Sequence, residues 1–246
     1  MKTSMLLLVG GMIAGIFAST HAQVFQNLGF ESPAEPTGGG QFGLPFYSIT
    51  NWTVSYNGVA QTGVSSNDFS LNNTTVALIN HTSQAVFHAI DGSQSLFLSA
   101  STAQAVFEGF SVAEISQTGA VSASANSIQF LLGAISGSGL GVDTNFPASY
   151  FFVTMNGQNV PLQELGTSGS NLILGGNISA WAGQTAQLSI GVQVPYSFPV
   201  QEVFSGVIDD VSFSAAVVPE PSTLVLATAG GVAVLLLFRR RYFGGV

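Results

Sequence analysis

The sequence predicts an all-β protein: a single β-sandwich or jelly roll, flanked by an N-terminal signal peptide and a C-terminal transmembrane helix. Three observations favour this class. Short β-branched and aromatic runs alternate with Gly, Asn and Ser turns. No long window before residue 222 has the 3.6-residue period of a helix. Apolar runs without charge stand near both ends. We therefore divide the chain into residues 1–22, 23–217 and 218–246.

The N-terminal segment has the order of an export signal. Lys2 precedes an apolar run over residues 5–17, and small residues that include Thr20 and Ala22 follow it. Signal peptidase accepts small side chains at these two positions, so we expect cleavage before Gln23. The alternative is a permanent N-terminal anchor, but the run is well short of the ~20 residues that span a bilayer.

The body, residues 23–217, contains several predicted strands. In 187–194 every even position is apolar, which is typical of a half-buried strand. Asn156-Gly157 separates two further strands and is typical of a type I′ hairpin turn, while Pro161 places the second of them at a sheet edge or makes it short. The other predicted strands are 52–56, 75–79, 85–90, 95–99, 110–116, 127–135, 172–174 and 207–214.

The charge distribution disfavours some partners. All four basic residues lie in the end segments, whereas all but one of the twelve acidic residues lie in the body. A surface without Lys or Arg has no cation for a phosphate, which disfavours nucleic acid and anionic-lipid headgroups as direct partners. The chain has no cysteine, which also excludes thiol catalysis and Cys-ligated zinc.

Candidates for catalysis are few, and we predict no catalytic residue. His81 and His88 are seven residues apart, so on one strand they would point to opposite faces. Glu108 and Glu114 would share a face, but at ~20 Å they are too far apart for the two carboxyls of a glycosidase. The sequence therefore indicates a protein that is not an enzyme.

The C-terminal segment combines a short motif, an apolar run and a basic cluster. These are Pro219, Glu220 and Pro221, then residues 223–238, then Arg239, Arg240 and Arg241. As a helix the run is about 24 Å long, so it spans the ~30 Å hydrocarbon core only if the bilayer thins or the arginines snorkel. The arginines should stay cytoplasmic, which leaves the body outside. A buried core helix is the alternative, but it gives the arginines no role.

This order of elements resembles the PEP-CTERM sorting signal. In that family a membrane-embedded exosortase recognises the tail and cuts it near the Pro-Glu-Pro motif, in bacteria that usually also make an exopolysaccharide. The resemblance implies that exosortase is a partner and that the C-terminal helix anchors the precursor in the membrane. It also implies that the processed protein reaches the cell surface or the extracellular matrix.

Several pieces of the body are similar to jelly-roll domains of the galactose-binding-like class, which includes many carbohydrate-binding modules. They are residues 27–31, 51–54, 91–94, 182–188 and 208–213. If the body binds sugar, Trp181, Tyr196 and Trp52 are the candidates for stacking on sugar rings. For Trp52 a core position is the stronger alternative, because it alternates with two other apolar residues on its strand.

The same resemblance implies a structural calcium ion between the first and last strands. Its ligands would be Glu31 and Asp209 or Asp210. Alternation with Val207 and Val211 predicts that Asp209 points to the core and that its neighbour Asp210 points to the opposite face. The alternative is that these three carboxylates are solvated residues at strand ends.

These observations predict an exported, non-enzymatic protein of the cell surface or matrix, processed by exosortase and associated with extracellular polysaccharide. A lectin-like module with a discrete sugar pocket is the alternative, and a glycan-active enzyme is the third hypothesis.

Overall fold

The computed structural model describes residues 23–34, 46–67, 73–81, 87–102, 110–138, 149–195 and 202–218. The predicted signal peptide and the tail from Pro219 onward, with the run 223–238, lie outside these ranges. Among the described residues, no helix combines the length and the apolar character needed to cross a membrane. The predicted all-β sandwich is confirmed for this part of the chain.

Across the described ranges the chain forms fourteen strands in two facing sheets. One sheet contains β1 (Phe46–Tyr47), β4 (Val64–Ser66), β5 (Thr75–Asn80), β6 (Gln94–Ser101), β8 (Ser127–Ser138), β11 (Gln163–Ser168), β12 (Asn171–Asn177) and β14 (Val203–Ser214), in the order β1-β4-β5-β6-β14-β8-β12-β11. The other contains β2 (Thr53–Tyr56), β3 (Val59–Gln61), β7 (Phe110–Ala120), β9 (Phe151–Met155), β10 (Gln158–Val160) and β13 (Thr185–Pro195), in the order β10-β9-β13-β7-β2-β3. From β6 onward the chain passes repeatedly between the sheets, which ties them together.

The main core lies between the sheets and follows from the alternation in the strands. In β13 the even-numbered side chains Leu188, Ile190 and Val192 are fully buried, as the sequence pattern predicts. They belong to one cluster with Phe130 and Phe204 of the opposite sheet. Each such side chain contributes about 1.5–3 kcal/mol when it leaves water, so this interface dominates the stability of the body.

The predicted hairpin is confirmed. Asn156 and Gly157 have φ values of 51° and 75°, as a type I′ turn requires, and they join β9 to β10. β10 is the edge strand of its sheet and ends at Val160, directly before Pro161. Asn57-Gly58, with φ values of 49° and 77°, makes the same turn between β2 and β3.

The predicted strand 85–90 is wrong for its described part, because residues 87–90 form no strand. The Ile90 N–H bonds to the Ser95 hydroxyl instead of a neighbouring strand, at 2.9 Å. Phe87 lies against Phe97 with ring centroids 4.8 Å apart. With Val207 and two residues of β5, these rings form a second apolar cluster on the outer face of the eight-stranded sheet.

Candidate functional site

A β-bulge in β14 shapes the outer face of the eight-stranded sheet. The pairing of β14 with β8 shifts between Asp209 and Ser212, and Asp210 has a left-handed φ of 50°. Val207 therefore belongs to the outer cluster, whereas Val211 belongs to the main core. The expectation that Asp209 shares a face with Val211 is wrong, because the bulge changes the alternation between them.

Residues 27–31 are hydrogen-bonded and packed against this bulge. The Val211 N–H donates to the Leu28 carbonyl at 3.1 Å, and the Trp52 indole N–H donates to the Asn27 carbonyl at 3.0 Å. Phe30 is fully buried at a positive φ of 56°, an unusual conformation for a bulky residue. These contacts hold Gly29 and Glu31 beside the two aspartates.

We name this region the acidic corner and define it by Glu31, Asp209 and Asp210, together with Asp91, whose charge contributes to the raised pKa of Asp210. A side-chain carbon built on Gly29 would lie 3.7 Å from Oδ1 of both Asp209 and Asp210. Both oxygens therefore lie on the side of Gly29, contrary to the expectation that adjacent strand residues point to opposite faces. The bulge at Asp210 is the reason.

Asp209 is almost fully buried in the acidic corner. Its Oδ2 accepts a hydrogen bond from the Ser95 hydroxyl at 2.5 Å, and its Oδ1 accepts one from the Asp210 N–H at 2.7 Å. Burial raises the pKa of Asp209 to about 7, against the effect of these hydrogen bonds, and the charges of Asp210 and Glu31 add to the rise. Burial also raises the pKa of Asp210, with contributions from Asp91 and Glu31. Burial and the neighbouring carboxylates therefore disfavour the charged forms of both aspartates.

The acidic corner meets the chemistry of a calcium ion in part. One oxygen of each Asp faces Gly29, and calcium takes oxygen ligands. Glu31, however, directs Oε1 to the backbone N–H groups of Ser93 and Gln94, at 2.8 and 3.1 Å. Among the described residues, no three His, Asp or Glu side chains form a ready metal cluster. Glu31 would have to supply its other oxygen.

A groove of about 270 Å³ continues from the acidic corner across the outer face of the sheet. Asp210 lies between the two features. Gln129 and Ser212 add an amide and a hydroxyl to the groove, and Leu131 and Ile173 add apolar surface. The groove therefore has both polar and apolar lining. The groove is not predictable from local sequence patterns, because its lining residues Asp210 and Ser212 are placed by the bulge.

The aromatic candidates do not lie together in the described part of the chain. Trp52 is 7 % exposed in the main core, where its indole N–H is already bonded. Trp181 is half-buried in a short 3-10 turn, Ser179–Trp181, and packs against the same core. Tyr196 lies outside the described residues. Their role in sugar binding remains a prediction.

The remaining titratable candidates occupy separate places. A ring nitrogen of His81 is hydrogen-bonded to the Gly92 carbonyl, while His88 is exposed elsewhere. Glu114 lies on the six-stranded sheet, where it accepts a hydrogen bond from Ser55 at 2.8 Å. Glu108 lies outside the described residues, so the expected separation of the two glutamates is untested.

A sequence motif and a solved structure match parts of this chain. Residues 217–241 match the PEP-CTERM protein-sorting motif. No curated protein matches the sequence. The solved structure of TmCBM61 in complex with β-1,4-galactotriose is 14% identical, has a TM-score of 0.32, and the match covers 78% of this chain and 97% of that chain. The motif at 217–241 implies export and membrane anchoring before cleavage.

Gly92 allows a test of the hydrogen bonds that Glu31 accepts from Ser93 and Gln94. It has a φ of +52°, and an added side-chain carbon would lie 1.9 Å from Glu31 Oε1. Gly92→Ala should therefore displace Glu31 and lose its two backbone hydrogen bonds. Gly157→Ala is the matched control, because Gly157 has a φ of +75° and open space around it.

We expect Gly92→Ala to lower the free energy of unfolding by about 1–2 kcal/mol more than Gly157→Ala does. Urea denaturation of the body measures both values. Equal losses would mean that Glu31 does not hold the turn.

Proposed function

We propose that the chain is an exported, non-enzymatic protein of the cell surface or matrix, which exosortase cuts near Pro219, Glu220 and Pro221, and which associates with extracellular polysaccharide. The observation that carries the proposal is the sorting motif at residues 217–241. The segment 223–238 serves as the membrane anchor of the precursor, with Arg239, Arg240 and Arg241 on the cytoplasmic side.

The body supports an association with neutral or basic glycans. It has no Lys or Arg, so it cannot pair with the acidic groups of an anionic polymer. Its groove offers Gln129, Ser212 and Asp210 for sugar hydroxyls, and Leu131 and Ile173 for C–H faces. Such a mixture of apolar surface and a few polar groups is typical of a ligand site.

The groove also favours the second candidate function, a lectin-like module with a discrete sugar pocket. A glycan array with the purified body, followed by titration, separates the two candidates. Saturable binding to one glycan supports the pocket, whereas weak binding to many polysaccharides supports diffuse association. Absence of both would contradict the proposed association. New reducing ends after incubation with polysaccharide would instead indicate an enzyme.

A pair of glutamine variants locates the binding. Gln129 is half-buried and lines the groove, whereas Gln193 is half-buried on the six-stranded sheet. We expect Gln129→Ala to weaken glycan binding by about ten-fold, since a lost hydrogen bond contributes roughly 1 kcal/mol or more, and Gln193→Ala to leave it unchanged. Equal affinities of the two variants would exclude the groove.

We further propose that the acidic corner binds a structural calcium ion through Asp209, Asp210 and Glu31. The body has no cation of its own to neutralise these groups. Calcium at about 100 times its dissociation constant would stabilise the body by about 2.7 kcal/mol, or roughly 5–10 °C in melting temperature. Melting with calcium and with excess chelator measures this shift.

Asp210→Asn should reduce the calcium shift, and Glu164→Gln, on an exposed residue of β11, should keep it. An unchanged melting temperature of the unsubstituted body in excess chelator would exclude the calcium site.

A further inference from the structure

The end of the sandwich from which the tail leaves has an unusual composition. We name it the tail-bearing end and define it by residues 23–24, 121–126, 178–184 and 215–218. None of the Asp and Glu residues that the structure describes lies in these segments, and the body has no Lys or Arg. Val24 and Val217 are 63% and 66% exposed there, and the half-buried Trp181 lies in the third segment.

The segments of this end are bonded to each other. The Val121 N–H donates to the Gln184 carbonyl, and the Ile178 N–H donates to the Asn126 carbonyl, both at 2.9 Å. They therefore form one continuous surface rather than independent loops.

The chain that leads to the sorting motif is part of the same surface. The Asn126 side-chain amide donates to the Ala215 carbonyl, and the Ser127 hydroxyl donates to the Ala216 carbonyl, both at 2.8 Å. Val218 is only 5% exposed. The body is thus fixed to its tail up to Val218, directly before Pro219.

Few residues remain between this fixed point and the apolar run. Only Pro219 to Ser222 precede Thr223, and four residues reach about 14 Å when fully extended. The headgroup layer takes up about 5–8 Å of that distance. In the anchored precursor the tail-bearing end therefore lies within about 10 Å of the lipid headgroups.

We propose that the tail-bearing end is a membrane-facing surface, which rests on the outer face of the bilayer while the precursor is anchored. This inference rests on the proposed function, in which residues 223–238 anchor the chain. An end without carboxylates is not repelled by anionic lipids, and an end that carries a half-buried Trp and two exposed Val residues suits the membrane interface. The acidic corner lies away from this end, because Asp209 is opposite Leu131 whereas Ser214 is opposite Ser127.

The experiment uses the full precursor in vesicles of phosphatidylethanolamine and phosphatidylglycerol without exosortase. Since the chain has no cysteine, one cysteine can carry a fluorophore at either of two exposed positions. Ala123→Cys labels the tail-bearing end. Val59→Cys is the control, because Val59 pairs with Tyr56 and Tyr56 with Ala113, about 24 Å along β7 from Ala120.

Lipids that carry a quencher in the headgroup region should quench the label at position 123 about three-fold or more strongly than the label at position 59, given the ~24 Å between their levels. A ten-residue Gly-Ser insertion between Val218 and Pro219 should remove most of this difference. Equal quenching at both positions with the natural spacing would overturn the inference.

Two further outcomes concern contact with exosortase and the strength of the membrane anchor. Quenching at position 123 that requires added exosortase would assign the surface to the enzyme rather than to lipid, and would also overturn the inference. Alkaline extraction of the vesicles tests the anchor separately: a precursor that is released by it would contradict the proposed function and the inference together. A retained precursor with equal quenching would contradict the inference alone.

Discussion

Replacing Glu220 with Ala should leave the precursor uncut and retained in the membrane. Glu220 is the acidic residue of the motif matched at residues 217–241 and lies between Pro219 and Pro221. We expect processing to fall to an undetectable level, because no second Pro-Glu-Pro sequence is present. Immunoblotting of membrane and released fractions measures it.

Ser222→Ala is the matched control, since Ser222 follows Pro219, Glu220 and Pro221 directly but is not one of these three residues. This variant should be cut and released like the unsubstituted chain. If Glu220→Ala and the unsubstituted chain had the same electrophoretic mobility and the same release, the motif would not direct cleavage.

The second large effect concerns the pH dependence of stability in calcium-free protein. The pKa of Asp209 is raised to about 7 in the folded body, whereas its ordinary value, which applies to the unfolded chain, is 3.8. Between these values the folded body holds a proton that the unfolded chain has lost, so the free energy of unfolding falls as pH rises. We expect a loss of roughly 2–4 kcal/mol from pH 4 to pH 7.5.

Urea denaturation in excess chelator across this range measures the loss. Asp209→Asn should remove most of the slope, because an amide has no proton to release and still accepts a hydrogen bond, while the raised pKa of Asp210 keeps a smaller slope of the same sign. Glu114→Gln, on the six-stranded sheet, should keep the slope of the unsubstituted body. Stability of the unsubstituted body that rises from pH 4 to pH 7.5 would contradict the buried, protonated Asp209.

Local signals in the sequence predict much of the fold. The alternation over residues 187–194 identifies β13 and its buried face, and Asn156-Gly157 identifies the hairpin of β9 and β10. Asn57-Gly58 carries the same turn signal and could have predicted the hairpin of β2 and β3. The strand β1 is not distinguishable from a loop by periodicity, because its two residues are too few to show an alternation.

The candidate site was only partly predictable. The sequence names Glu31, Asp209 and Asp210, and the structure brings all three to the acidic corner. The sequence does not predict the bulge, because the positive φ occurs at Asp210 and not at a glycine, which would be the usual signal. The groove depends on this bulge and is therefore not predictable from the sequence. Asp91, in the turn before β6, was not predicted either.

The most direct test of the proposed function is the mass of the processed protein. The chain is produced in an exosortase-containing bacterium and in the same strain without exosortase, and the intact mass is measured in each. We predict a C-terminus near Pro219–Pro221 and recovery in the surface or matrix fraction only with the enzyme. A chain that keeps Arg239, Arg240 and Arg241 in both strains, or loses them in both, would contradict exosortase processing.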